Sequence, residues 1–374
     1  MSLAIKHLYS LPEQYNYSQT RKMSIPNRKA LISAFGDISK VSVVDSTIEA
    51  PAKNEVQLEV SYSGFSGTDI NMRLGRYPLQ KAAPLTPGYC CVGRVVANGP
   101  GSNEFEPGTA VAAVTIYDAE AERINVAEQY LIPLPADLDD DAGHQQVAAL
   151  VMDWNTAYAM VHHVAEVTKG QRVFIHGLSG AVGHATMTLC LLQGAEVYGT
   201  ASARNHEALQ ALGVKPFVYT DKEWMGAMVA LGGAHAVFDP LGFESWDESY
   251  SILPPGCDRA GDQGVLVGFG GNKASLQGEA DRSVWPQMAK LLAHNLKVWS
   301  RRRTHFYYIT RDDKTFAPDL KTLMDLVQQG QIKVPIKGVW DLDTDSIRDA
   351  HASWGKTAGM GSLLVRVGKS ERTR

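Results

Sequence analysis

Three evenly spaced glycines form the most informative stretch of the chain. Gly177, Gly180 and Gly183 follow an apolar strand pattern, 173–175, and precede an apolar run, 185–192, that is typical of a helix. Glycine permits backbone angles and close approaches that a Cβ atom excludes. The first N–H groups of a helix have no partner within it and attract phosphate. The stretch therefore predicts a strand, a tight turn and a helix that bind the phosphates of a dinucleotide.

The predicted phosphate ligands are consecutive residues of this turn and of the helix start: Ser179, Gly180, Ala181, Val182 and Gly183. The spacing is Gly-x-x-Gly-x-x-Gly, because Leu178 stands where the more common dinucleotide pattern has its first glycine. The alternative interpretation is a structural turn that binds no ligand.

The end of the next strand indicates which dinucleotide binds. An NAD site usually has Asp or Glu there, which accepts a hydrogen bond from the ribose 2′-hydroxyl. Here the strand ends without an acid, and Ser202 and Arg204 follow it. A hydroxyl and a planar guanidinium suit a 2′-phosphate, so we predict NADPH. The alternative is that both side chains cap the next helix. Tyr219, at the end of the third strand, is also assigned to the cofactor site.

Strands and helices alternate from residue 154 to residue 300, which predicts an α/β Rossmann domain with a doubly wound parallel sheet. The predicted strands are 173–175, 196–200, 217–219, 236–239 and 264–269. Ligands bind at the carboxyl edge of such sheets. The residues that end the last of these strands are therefore assigned to the cofactor site: Gly268, Phe269 and Gly270.

The remaining segments predict a second, β-rich domain. Residues 28 to about 135 carry strand patterns without intervening helices. After residue 300 the alternation stops, and the tail predicts helices at 316–329 and 344–354 and strands at 334–340 and 362–367. We expect the tail to fold back, so that residues 28–153 and 301–374 form one outer domain around the inserted nucleotide domain, 154–300. Residues 1–27 are predicted to be an N-terminal extension.

The composition excludes several classes of function. The 374 residues are 44% hydrophobic and 20% charged, with a net charge of −4, so no basic surplus points to nucleic acid. No apolar run approaches the ~20 residues of a membrane span, and no secretory signal is recognisable. The four cysteines, at 90, 91, 190 and 257, form no Cys-x-x-Cys pair. These features favour a cytoplasmic protein.

Five segments together resemble the medium-chain dehydrogenase/reductase superfamily, in its zinc-free quinone oxidoreductase-like branch of zeta-crystallin-like proteins and enoyl reductases. They are 64–78, 84–88, 148–158, 176–183 and 264–271, and the resemblance covers residues 28–368. It implies a GroES-like catalytic domain beside the Rossmann domain, NADPH as cofactor, and hydride transfer to a quinone or small conjugated carbonyl. It also implies a homodimer.

Zinc-dependent relatives carry metal ligands at positions that here hold Ser66, Tyr89, Cys90 and Met152. Zinc needs three or four converging N, S or O donors, so we predict no metal. Hydrogen-bond donors must then stabilise charge on the substrate oxygen. The family motifs that line the cleft supply four candidates: Ser66, Asn71, Tyr77 and Tyr89.

Tyr77 is the favoured proton source among these candidates, because the family motif often has a tyrosine before this proline; the alternative is a packing tyrosine. Thr156 matches a family position packed near the nicotinamide. Asp69 and Arg73 are expected to form a structural ion pair that frames the cleft.

The expected function is zinc-independent, NADPH-dependent transfer of hydride to a quinone or to the C=C bond of an α,β-unsaturated carbonyl. One alternative is an enoyl or alkene reductase that acts on a biosynthetic, polyketide-like intermediate. An alternative of another class is a protein that binds NADPH without catalysis. The motifs do not separate the first two functions, because both use the same site, and the third is left open because no catalytic acid is certain.

Overall fold

The computed structural model describes residues 24–254, 263–278, 282–297 and 300–368. Most of the predicted N-terminal extension, residues 1–23, lies outside the described residues, as does Cys257. The first strand begins at Ser24, four residues before the predicted start of the outer domain.

Fifteen strands occur within the described ranges. In chain order they are β1 Ser24–Ile32, β2 Val41–Glu49, β3 Glu55–Phe65, β4 Cys90–Asn98, β5 Ala110–Val114, β6 Arg123–Ala127, β7 Ile132–Pro133, β8 Arg172–His176, β9 Glu196–Ala201, β10 Lys215–Val218, β11 Ala236–Asp239, β12 Gly264–Gly268, β13 Arg302–Phe306, β14 Ile336–Asp341 and β15 Ser362–Arg366. Every strand predicted in the nucleotide domain and in the tail is present.

Eleven α-helices occur in the same ranges. They are α1 Gly67–Leu74, α2 Asp141–Ala149, α3 Asn155–Ala159, α4 Ala181–Leu192, α5 His206–Ala211, α6 Glu223–Ala230, α7 Glu244–Ser251, α8 Lys273–Gln277, α9 Trp285–Ala293, α10 Phe316–Gln328 and α11 Thr344–Ser353. Two π-helical turns, Leu150–Trp154 and Met160–Val164, continue α2 and α3 as one helical segment. Among the described helices, none is both long and apolar enough to cross a membrane.

The nucleotide domain contains a six-stranded sheet in the order β10-β9-β8-β11-β12-β13. All of its pairs are parallel, as the alternating pattern predicts. The sixth strand, β13, extends this sheet to Phe306, six residues beyond the domain boundary predicted at residue 300. The carboxyl ends of these strands lie at one edge, so the loops that follow them are brought together there.

The outer domain contains a seven-stranded sheet that includes the tail. Its order is β14-β15-β3-β4-β5-β7, with β6 paired to β3. Strand β15 runs antiparallel to β3, with Leu363 opposite Phe65. The tail therefore folds back onto the first part of the chain, as predicted.

One apolar cluster joins the two domains. It includes Leu364 from the outer sheet, Tyr89 immediately before β4, Ile175 from the parallel sheet, and Trp154 from the helical segment between them. Each of these side chains is at most 2% exposed. Burial of these apolar side chains favours a fixed arrangement of the two domains, and this arrangement positions the cleft between them.

Candidate functional site

The turn after β8 requires glycine at two of its positions. Gly177 has φ +76°, in the left-handed region that favours glycine. A Cβ atom on Gly183 would lie 2.1 Å from the Gly177 carbonyl oxygen. The turn is held by β9, because the Thr200 carbonyl accepts hydrogen bonds from the N–H groups of Gly177 at 3.1 Å and Leu178 at 2.9 Å.

Helix α4 begins at this turn without a side-chain cap. Its N-cap residue is Gly180, and Ala181, Val182 and Gly183 form its first turn. The first N–H groups of a helix carry a partial positive charge and attract anions. Close packing of glycines beneath an uncapped helix start is the cradle that a dinucleotide pyrophosphate needs, so these residues fit that cofactor.

The outer domain closes over the turn. The Ser179 carbonyl accepts a hydrogen bond from the Gly361 N–H at 3.3 Å and one from Lys337 Nζ at 3.5 Å. Sequence reasoning did not identify Lys337, which lies 158 positions from Ser179. A cation therefore stands beside the proposed pyrophosphate position.

The predicted adenosine end lies at the ends of β9 and β10. Val218 pairs with Ala201, so Tyr219 and Ser202 follow their strands side by side. Arg204 is exposed, and its Nη2 donates to the Lys356 and Thr357 carbonyls at 3.1 and 3.4 Å. Ser202 stands at the N-cap of the 3₁₀ turn 203–205 but makes no side-chain capping bond, and Asn205 stands at the N-cap of α5, so the capping alternative finds no support in these contacts.

The end of β12 lies at the same edge of the sheet. Gly268 pairs with Asp239 and Phe306, and the Phe269 N–H donates to the Asp239 carbonyl at 3.0 Å. Gly270 turns the chain with φ +77°. Thr156 is buried on α3, which packs against α4. All of the predicted cofactor residues therefore belong to the carboxyl edge of the sheet or to the helix packed beside it.

Tyr77 meets a tyrosine from the other side of the cleft. Its hydroxyl lies 3.1 Å from the hydroxyl of Tyr308, which follows β13. Burial, and then the bond to Tyr308, raise the pKa of Tyr77, so its phenol keeps the proton at neutral pH. The Tyr307 N–H donates to the Gly268 carbonyl at 2.8 Å, which ties this pair to the end of β12.

Ser66 and Asn71 are engaged in other hydrogen bonds. The Ser66 hydroxyl caps α1 by accepting from the Thr68 N–H at 3.0 Å. The Asn71 amide donates to Asn272 Oδ1 at 3.0 Å and accepts from the Ser275 hydroxyl at 2.6 Å. These two candidates thus fix a helix start and connect α1 to α8.

Tyr89 lies beneath the cleft, 2% exposed, and burial raises the pKa of its phenol. Its hydroxyl interacts with Ser66 and with Asp153. Asp153 is also buried, accepts from the Ser362 hydroxyl at 2.7 Å, and was not identified from the sequence. Burial raises the pKa of Asp153 to about 6.

The predicted ion pair between Asp69 and Arg73 is wrong. Buried Asp69 accepts from the backbone N–H groups of Ser66 at 2.8 Å and Gly88 at 3.2 Å. Arg73 instead donates to the Gly36 carbonyl and to His351. Each side chain anchors a different loop, because the capping box of α1 turns Asp69 back toward the helix start.

The positions that hold zinc ligands in zinc-dependent relatives offer few donors. Burial raises the pKa of the Cys90 thiol, which donates to the Ala148 carbonyl at 3.6 Å. A buried neutral thiol is a poor metal ligand, since the thiolate is the form that binds metals. In the described ranges, no group of three or more His, Cys, Asp or Glu side chains could hold a metal ion.

The chain is similar to known proteins in both of its domains. A family model described as the alcohol dehydrogenase GroES-like domain matches residues 52–138. The human protein named synaptic vesicle membrane protein VAT-1 homolog-like is 31% identical over 356 residues, which is 92% of this chain and 81% of the relative. Quinone oxidoreductase from Rattus norvegicus is 31% identical over 180 residues, which is 48% of this chain and 54% of the relative.

A solved structure supports the same fold. Escherichia coli quinone oxidoreductase complexed with NADPH matches with a TM-score of 0.74 and 21% identity. The match covers 91% of this chain and 100% of that chain. It includes both domains and therefore the cleft between them.

Proposed function

The chain belongs to the medium-chain dehydrogenase/reductase superfamily, in its quinone oxidoreductase-like branch, and from this we propose that it is a cytoplasmic, NADPH-dependent reductase. It reduces a quinone or the C=C bond of an α,β-unsaturated carbonyl, without zinc. The observation that carries the proposal is the uncapped start of α4 above the glycine turn, beside a strand end with Ser202 and Arg204 and no acid.

The chain's residues bind and orient the cofactor from several sides. The glycine turn and the first N–H groups of α4 hold the pyrophosphate. Ser202, Arg204 and Tyr219, which follow the paired strands β9 and β10, would bind the 2′-phosphate. Gly268, Phe269 and Gly270 end β12 at the same edge, and their backbone groups would hold the carboxamide. NADPH, when bound, supplies the hydride.

The paired tyrosines hold the substrate oxygen. In a hydroxyl pair one O–H donates to its neighbour, so Tyr77 and Tyr308 together retain one O–H for a substrate. A donor that already accepts a hydrogen bond is polarised and donates more strongly. The pair therefore stabilises the negative charge that develops on a carbonyl oxygen, and the raised pKa of the Tyr77 phenol keeps its proton in place.

Zinc independence rests on the chemistry of the residues at the zinc positions. The Ser66 hydroxyl is used as a helix cap, Cys90 is a buried thiol, and Tyr89 is a buried phenol. Purified protein should reduce its acceptor at an unchanged rate after dialysis against a strong chelator. Tightly bound, stoichiometric zinc whose removal abolishes turnover would contradict this part of the proposal.

A protein that binds NADPH without catalysis remains the second candidate, because Ser66 and Asn71 are committed to internal hydrogen bonds. NADPH consumption with quinones, enones and enoyl thioesters separates the functions. Oxidation with quinones or enones supports the proposal, and a preference for enoyl thioesters supports the biosynthetic alternative. NADPH binding without oxidation by any of these acceptors supports the second candidate.

A further inference from the structure

Lys337 occupies an unusual position in the outer sheet. In the parallel pair of β14 and β15, Ile336 faces Ser362 and Gly338 faces Leu363, so Lys337 is the extra residue of a β-bulge. Bulges redirect a side chain relative to the regular alternation of a strand. Here the side chain reaches the nucleotide domain, where Nζ donates to the Ser179 carbonyl at 3.5 Å.

The approach of the two domains at this point is close. Gly361, which has φ +112°, donates its N–H to the same Ser179 carbonyl at 3.3 Å. A Cβ atom on Gly361 would lie 2.0 Å from the Pro335 carbonyl oxygen. The strand start that carries Lys337 is thus held directly against the turn that precedes α4.

Lys337 has hydrogen-bonding capacity that the described protein groups do not use. An ammonium group has three N–H donors, and the bond to Ser179 is long. Among the residues that the structure describes, no carboxylate forms an ion pair with Lys337. Burial lowers the pKa of Lys337, Asp153 raises it, and Arg204 lowers it.

We propose that Lys337 binds the pyrophosphate of the dinucleotide from the outer domain, and so couples cofactor binding to the contact between the domains. This inference rests on the proposed function. It assigns Lys337 and Arg204 to different phosphates, because Ser179 belongs to the turn before α4, whereas Arg204 follows β9. NADH and NADPH share the pyrophosphate, and NADPH alone has the 2′-phosphate.

The test compares dissociation constants of NADPH and NADH, measured by fluorescence titration of the full chain. Lys337→Met keeps the apolar stem and removes the charge. A hydrogen bond to a charged group changes a dissociation constant by a factor of about ten to a hundred. Lys337→Met should therefore raise the dissociation constants of NADPH and NADH by that factor and to a similar extent. Lys337→Arg should restore binding to within about threefold. Lys333→Met, at an exposed lysine on the preceding segment, should leave both constants unchanged.

Three results would overturn or redirect the inference. Wild-type affinity of Lys337→Met for both dinucleotides would remove Lys337 from the cofactor site, and a loss confined to NADPH would assign it to the 2′-phosphate instead. If the wild-type protein binds neither dinucleotide, the proposed function fails as well. Thermal unfolding of each variant shows whether it is folded, and Lys337→Gln is the second charge-removing variant if Lys337→Met unfolds.

Discussion

The carboxyl edge of the parallel sheet and the facing wall of the outer domain use their polar groups in different ways. At the sheet edge, backbone N–H groups at the start of α4 have no side-chain cap. On the outer wall, Ser66 caps a helix and the Asn71 amide is hydrogen-bonded on both its oxygen and its nitrogen. Tyr77 is the outer-wall candidate that pairs across the cleft with another hydroxyl.

This difference indicates that the sheet edge binds the cofactor and that the outer wall positions the substrate. Backbone groups at a glycine turn bind phosphate wherever the local geometry is right, so few side chains are needed. On the outer wall, side-chain hydrogen bonds of Asn71 connect α1 to α8. The sheet edge is therefore expected to control cofactor affinity, and the outer wall to control stability and the position of the substrate.

The largest expected effect is at the glycine turn. Gly183→Ala places a Cβ atom 2.1 Å from the Gly177 carbonyl, so α4 must shift away from the turn. We expect nucleotide binding to fall below detection and the free energy of unfolding to fall by about 1–3 kcal/mol. Fluorescence titration and chemical denaturation measure the two effects.

The matched control is Gly226→Ala on α6, where a Cβ atom meets nothing within 4 Å. This change should stabilise the protein slightly and leave binding intact. Unchanged nucleotide affinity in Gly183→Ala would show that the turn does not form the phosphate site.

A buried acid beneath the outer wall should make stability depend on pH. Burial raises the pKa of Asp153 from 3.8 to about 6, so the folded protein holds a proton there that the unfolded chain releases near pH 4. The Asp153 contribution to stability is therefore fully present at low pH and is lost as the pH rises through about 6. The free energy of unfolding of Asp153→Asn, relative to that of wild type, should therefore increase by about 3 kcal/mol between pH 4 and pH 8.

Denaturant titrations across that pH range measure this gain. Asp325→Asn, at an exposed carboxylate on α10, is the control substitution. A pH-independent difference for Asp153→Asn would mean that Asp153 is ionised in the folded protein throughout the range.

Arg204 tests the discrimination between dinucleotides at the sheet edge. Loss of a charge-assisted contact to the 2′-phosphate costs about 1.5–3 kcal/mol. Arg204→Ala should therefore raise the dissociation constant of NADPH by a factor of about ten to a hundred and leave that of NADH unchanged. Arg303→Ala, at an exposed position of β13, should change neither affinity. Equal weakening of NADPH and NADH would remove Arg204 from the 2′-phosphate.

The smallest expected effect distinguishes two tyrosines of the outer wall. Tyr77→Phe leaves the Tyr308 hydroxyl in place, so kcat should fall by about tenfold, whereas removing both hydroxyls should lower it by about a hundredfold or more. Neither change should alter the NADPH dissociation constant. Tyr89→Phe should instead lower stability by about 1–2 kcal/mol, because a buried polar contact to Asp153 is lost, and leave kcat near wild type. A large loss of kcat in Tyr89→Phe would exchange these roles.

The parts of the fold that could be predicted are those encoded by local pattern. Alternating apolar strands and helices predicted the order of elements from β8 to β12, and the glycine spacing predicted the turn before α4. Strand β13 was not predicted, because its sequence, RRTHF, has almost no apolar residues to mark a strand of a parallel sheet.

The cleft itself depends on contacts between distant residues. Tyr77 and Tyr308 are 231 positions apart, and Asn71 and Asn272 are 201 apart. Lys337 reaches Ser179 through a bulge that no local pattern marks. Such pairs are determined by how the two domains pack. The motifs therefore predicted the residue types of the cleft but not the hydrogen-bond partners of those residues.

The most direct test of the central claim is the fate of the transferred hydrogen. The protein is incubated with NADPH carrying deuterium at C4 of the nicotinamide, in each of the two stereochemical forms, together with a reducible enone, and the product is analysed by mass spectrometry. The account predicts one deuterium at the β-carbon of the product from one form of the cofactor and none from the other. Bound NADPH that stays unoxidised, or product without deuterium from either form, would contradict it.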